Sequence, residues 1–110
     1  MYEIEFTTEA VQDLRYFRKF EQNIIIEAIQ TQLTHEPTVE TKNRFRRSPP
    51  DIAAWELRIG VFRVFYNVDE LVRIVSVERI GEKPNNTVFF RIFSRTRGLK
   101  DYDLDVSRVL

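Results

Sequence analysis

From Trp55 to Val68 apolar side chains return at every second position. Trp55, Leu57 and Ile59 alternate with Glu56 and Arg58; Phe62, Val64, Tyr66 and Val68 alternate with Arg63, Phe65 and Asn67. A period of two belongs to a strand with one face in a core. Only Gly60 and Val61 separate the two runs, which leaves room for an antiparallel hairpin and little else. A second turn at Asp69-Glu70 leads into a third run over residues 71–78. A chain with this meander is built around a sheet, and its other elements must pack on that sheet.

Residues 2–7 alternate in the same way, with Tyr2, Ile4 and Phe6 against Glu3, Glu5 and Thr7, and read as a first strand. Thr7 or Thr8 can cap a helix with Glu9 in its first turn, where negative charge is favoured. Ala10, Leu14 and Phe17 follow at helical spacing, with Val11 and Tyr16 beside them. Ile25, Ile29 and Leu33 do the same, flanked by Ile26 and Ala28, until Glu36-Pro37 ends the run. The spacing predicts two amphipathic helices in a hairpin that turns around residues 20–23. Residues 36–53 are polar and contain Pro37, Pro49 and Pro50; they predict a long connection with Phe45 anchoring it to the core. Residues 81–86 read as a loop and residues 87–93 as a last strand.

The expected fold is therefore α+β: an N-terminal strand, a helical hairpin, then an antiparallel sheet of three to four strands. One domain spans residues 1–93, and residues 94–110 form a tail of unassigned structure. With the hairpin on one face of the sheet, the other face carries Glu56, Arg58, Arg63, Phe65 and Asn67.

The apolar share of 43%, with nine Phe among 110 residues, is enough for one core. The absence of cysteine excludes disulfides, thiolate catalysis and Cys-based zinc sites. No spacing of His, Asp or Glu suits a metal, and there is no Gly-rich phosphate loop or nucleophile elbow; no cofactor is expected. The sequence lacks the run of about 18 apolar residues that spans a bilayer. It also lacks the basic start and apolar stretch of a secretory signal, so a cytoplasmic protein with no membrane partner is expected. Net charge is zero, but unevenly spread. Residues 1–41 hold three basic and eight acidic side chains; residues 42–63 hold six basic and two acidic ones. That middle segment is a candidate phosphate-binding patch.

The run from Trp55 to Asp69 resembles the "W-x-L-R-x-G-x-(Y/F)-R-(V/L)-x-Y-x-V" core of the RelE/ParE-type toxins. Ile80-Gly81-Glu82-Lys83 resembles that family's "I-G-(H/E/K)-(R/K)", and the opening fits its strand followed by "F-T-x-x-A-x-x-D-L". The resemblance implies a microbial-ribonuclease-like sheet with a helical hairpin. It also implies the toxic half of a type II toxin–antitoxin pair, neutralised by a cognate antitoxin. RelE-like members cut messenger RNA, usually on the ribosome, whereas ParE-like members inhibit DNA gyrase.

Cleavage of RNA by its own 2′-OH needs a base, a cation for the pentavalent phosphate and an acid for the leaving oxygen. Arg63 stands at the family's arginine and is the first candidate for the phosphate, or else a partner for Glu56 across the hairpin. Arg58 points the same way, and Lys83 follows the glycine as a basic residue does in RNA-cutting members. Arg44, Arg46 and Arg47 are candidates to hold RNA backbone, and Phe65 to stack a base or contact the antitoxin. The sequence also departs from the family. Ala54 and Glu56 stand where RNA-cutting relatives tend to carry lysines, and Phe89 falls at the position of their tyrosine or histidine. Glu56 is then the candidate base, with Glu78 more distant, while His35 reads as a residue at the end of a helix. The expectation is a RelE-like endoribonuclease. The alternatives are a ParE-like toxin without catalysis and a degenerate homologue that only binds a protein partner.

Overall fold

The structure, a computed structural model, describes residues 1–83. Its elements are β1 (Glu3–Phe6), α1 (Thr8–Tyr16), α2 (Lys19–Leu33), β2 (Arg44–Arg46), β3 (Trp55–Ile59), β4 (Phe62–Asp69) and β5 (Ile74–Glu82). The strands form one five-stranded sheet in the order β1-β5-β4-β3-β2. The strand expected over residues 87–93, Phe89, and the tail from residue 94 lie outside the described residues.

The α+β architecture is as the periodicity predicts, but the sheet is mixed. β1 pairs in parallel with β5, from Glu3 opposite Ile74 to Phe6 opposite Val77. A strand joined to its neighbour through two helices and three further strands is not bound by the hairpin geometry that makes neighbours antiparallel. The polar connection also contains a strand, β2, which pairs antiparallel with β3 at the far edge. In it Arg44 and Arg46 flank Phe45, too short a run to show a period.

The helices divide earlier than residues 20–23. Thr7 caps α1 by accepting from the Ala10 N–H at 3.0 Å. The chain turns at Phe17 and Arg18, where the Glu21 carboxylate accepts from the Arg18 N–H at 2.9 Å and starts α2. Phe17 leaves the helix to enter the core, edge-on to Phe62 with ring centroids 5.3 Å apart. Ile25, Ile29 and Leu33 bury the inner face of α2 against Trp55, Leu57, Val64 and Tyr66.

Gly60 opens the β3–β4 turn at φ 59°, a conformation that glycine adopts without a Cβ penalty. At the next turn the Asp69 carboxylate accepts from the N–H groups of Leu71 and Val72, so β5 starts at Ile74 rather than residue 71. β5 then runs on to Glu82, which puts Gly81 inside a strand. Between Phe65 and Tyr66 the β4–β5 register shifts: their partners are Arg79 and Val77, and Glu78 is the extra residue.

Tyr66 is wholly buried and stacks on Trp55, and its hydroxyl donates to the Pro37 carbonyl at 2.7 Å. Burial pushes its phenol well above the ordinary value, against the pull of Arg44, so it remains a donor. Tyr66→Phe leaves the buried Pro37 carbonyl unmet and is expected to lower stability by about 1–3 kcal/mol. Urea unfolding should show a lower midpoint with an unchanged slope.

Candidate functional site

The helices cover the sheet face that bears Trp55, Leu57, Val64 and Tyr66. On the opposite face the pairing of β3 with β4 sets Arg58 directly opposite Arg63, and Glu56 opposite Phe65. Two like charges facing each other across a ladder repel. Glu56, diagonal to Arg63 and two residues before Arg58, offsets that repulsion. Its Oε2 lies 3.5 Å from Arg63 Nε and 3.6 Å from Arg58 Nε. Its Oε1 accepts from Arg47 Nη1 at 2.6 Å, and Arg47 Nη2 donates to Asp51 at 2.7 Å.

The Glu56 side chain retains 8% of its exposure and that of Arg63 11%, whereas Arg58 keeps 42%. Arg63 Nη1 donates to the carbonyls of Gly60 (2.6 Å) and Phe62 (2.9 Å). Its Nη2 makes no hydrogen bond among the described residues. Burial and the neighbouring Arg58 hold the Arg63 guanidinium below its ordinary value, with Glu56 opposing them; an arginine nevertheless stays charged. Arg63 faces Gly81 on β5, which offers no side chain beside it. Lys83 follows at the end of the same strand, its N–H donating to the Val61 carbonyl at 2.7 Å. Arg58, Arg63 and Lys83 therefore belong to one end of the sheet, around the β3–β4 turn.

The other candidates are distributed differently. Arg44 is buried and does not face solvent as an RNA-binding residue must. Its Nε donates to the Val39 carbonyl at 2.6 Å and its Nη1 to the backbone and side-chain oxygens of Gln32. It thereby meets a terminal carbonyl of α2. Arg46 is exposed but lies over the Trp55 ring, 5.4 Å from its centroid, and so shares the helix-covered side. Arg47 reaches the open face, where both its Nη atoms are taken by carboxylates.

Phe65 is 1% exposed, so the expectation of an exposed ring that contacts an antitoxin is corrected: Arg47 lies over it at 5.0 Å. Phe45 is half-buried under Arg58 at 4.9 Å on the open face, not in the core. Glu78, at the register shift, accepts from Ser76 (2.9 Å) and Asn67 (3.4 Å) and stands away from Arg63. His35 lies exposed just past the end of α2. Among the described residues no group of three His, Asp or Glu converges to hold a metal, and no helix is long and apolar enough to cross a membrane.

Sequence reasoning missed the pairing of Asp13 with Arg79, at 2.7 and 3.1 Å. The signal was present: Asp13 is three residues after Ala10 and four before Phe17, on the stripe that α1 buries.

Neither a family model nor a curated protein matches the sequence. Solved structures do. A chain of the RelBE2 toxin–antitoxin complex of Mycobacterium tuberculosis is similar at TM-score 0.61 and 24% identity, over 74% of this chain and 98% of that one. This is the fold of the RelE toxins. The RelE–RelB complex of Pyrococcus horikoshii matches at TM-score 0.59 and 18% identity, over 76% and 97% of the two chains. The isolated RelE toxin of E. coli matches at TM-score 0.52 and 13% identity, over 78% and 88%. In this RelE-like chain Arg58, Glu56 and Arg63 occupy the sheet face that the helical hairpin leaves open.

Proposed function

We propose that this chain is the toxin of a type II toxin–antitoxin pair, an endoribonuclease that cuts messenger RNA in the cytoplasm and is restrained by a cognate antitoxin. The observation that carries the reading is the Arg58–Arg63 pair, set side by side on the open face of a RelE-like sheet. An arrangement of two facing guanidiniums gains from an anion, and an RNA phosphate is a planar-fork partner for either one. As the 2′ oxygen attacks phosphorus, its proton passing to water, and the 5′ oxygen departs taking a proton from water, charge builds on the non-bridging oxygens. Arg63 Nη2 and the exposed head of Arg58 can meet it, with Lys83 adding charge near the leaving oxygen. The solved relatives include RelE bound to RelB, which supports an antitoxin as the restraining partner. RNA on the ribosome is the substrate this reading implies.

A second reading is favoured by Glu56. Its Oε1 is hydrogen-bonded to Arg47 and its Oε2 lies 3.5–3.6 Å from two further arginines, so the carboxylate faces cations rather than a substrate proton as it stands. A toxin that blocks DNA gyrase without catalysis, or a homologue that only binds a partner, needs no base. The test is to co-express the chain with the product of the adjacent gene, then add the separated protein to a translation extract. The antitoxin should co-purify, translation should stop, and new 5′ ends should appear in the messenger. Intact messenger with inhibited DNA supercoiling would decide for the gyrase reading.

A further inference from the structure

We propose that Glu56 is a positioning residue that aims Arg58 and Arg63 at an RNA phosphate, and is not the base of the reaction. The inference rests on the reading that the open face binds RNA.

A base must bring a free oxygen within about 2.6–3.2 Å of the proton it takes. Glu56 keeps 8% of its side-chain exposure, and its Oε1 is held by Arg47 Nη1 at 2.6 Å. Its Oε2 sits between the Nε atoms of Arg63 and Arg58 at 3.5 and 3.6 Å. The carboxylate thus meets both arginines at the Nε end. At those distances it attracts both guanidiniums without a hydrogen bond to Arg63 Nε, and a guanidinium drawn in at Nε turns its Nη end away from the carboxylate. For Arg58 the whole Nη1/Nη2 edge is left for a ligand, with Phe45 beneath the plane. For Arg63 the carbonyls of Gly60 and Phe62 take Nη1, leaving Nη2.

Arg47 acts as the brace. It spends one Nη on Glu56 and the other on Asp51, and its Cζ lies 5.0 Å from the centroid of the buried Phe65 ring. Its charge is met by carboxylates, so it orders Glu56 rather than holding RNA. Without the central carboxylate, Arg58 and Arg63 would face each other unscreened across the ladder and splay apart.

The sign of one effect tests this. A labelled single-stranded RNA oligonucleotide is titrated with the full chain over a range of salt concentrations. Glu56→Gln removes a negative charge from a basic face, which by electrostatics alone would tighten binding. Loss of aim should instead weaken it about tenfold and lower the salt slope by about 1, the change expected when one phosphate is no longer neutralised. In an Arg63→Ala background most of that weakening should vanish, because the two changes act through the same phosphate. Glu56→Asp keeps the charge one methylene short and guards against misfolding of the Gln variant; it should bind RNA about threefold more weakly than the natural protein.

Unchanged or tighter binding by both variants, or loss of turnover with affinity unchanged as for a base, would overturn the positioning role and leave the RNA reading intact. Absence of salt-dependent RNA binding by the natural protein would overturn the RNA reading and the inference together.

Discussion

Arg63→Ala is expected to lower messenger-RNA cleavage about 10²–10³-fold in a translation extract, with the fold preserved. The magnitude is that of removing one donor from a developing anion, about 2.7–4 kcal/mol of barrier. The fold should survive because Arg63 points away from the core residues Phe62, Val64 and Tyr66, and because Glu56 keeps its 2.6 Å bond to Arg47. The hydrogen bonds given up run to the carbonyls of Gly60 and Phe62 at the β3–β4 turn, where water can replace them. Arg63→Lys is informative beside it. Lysine restores the charge but neither the fork nor the Nε approach to Glu56, so recovery should be partial. Full cleavage by a folded Arg63→Ala protein would remove Arg63 from the reaction.

The two faces of the central hairpin were legible because the side-chain period of a strand is fixed at two. Trp55, Leu57, Val64 and Tyr66 fall in the core, and Arg58 and Arg63 fall opposite, as alternation requires. Direction is not encoded in that period. Tyr2, Ile4 and Phe6 mark β1 as a strand, yet nothing in them distinguishes parallel from antiparallel pairing with β5.

Burial set by tertiary contacts was the least legible. Phe65 stands at a solvent-side position of β4, yet it is buried, with Arg47 from eighteen residues earlier lying over its ring. Arg44 sits in a polar connection, where an arginine ordinarily reads as solvated. Its burial depends on carbonyls from Gln32 and Val39 that only the folded chain brings together. The candidate site shows the same division. Which residues share a face came from alternation, whereas the gathering of three arginines from three segments around Glu56 came only with the folded chain.

Removing Asp13 is expected to damage the fold as much as truncating a core side chain does. Its carboxylate, with a side chain 2% exposed, accepts from Arg79 Nε at 2.7 Å, from Arg79 Nη2 at 3.1 Å and from the Ile80 N–H at 2.9 Å. Three bonds to one group fasten α1 to the middle of β5. Burial pushes the Asp13 carboxyl up from its ordinary value, against the opposing hydrogen bonds and charge of Arg79. Desolvation is thus the largest influence on the group, and the pair stabilises the fold less than its geometry implies. Breaking a buried pair is another matter, and typically costs about 3–5 kcal/mol. Arg79 keeps 21% of its side-chain exposure, which places Asp13→Ala near the low end, about 3 kcal/mol. In a domain whose whole stability is about 5–15 kcal/mol, that is a loss visible as a melting point lower by more than about 10 °C. Asp13→Leu combined with Arg79→Met removes both charges and should recover part of the loss. A deficit of about 1–3 kcal/mol should remain, since the Ile80 N–H still lacks its acceptor. Calorimetry of the natural protein, the single variant and the double variant separates the contributions. A double variant no more stable than Asp13→Ala would mean that the loss of the charge pair is not what destabilises the single one.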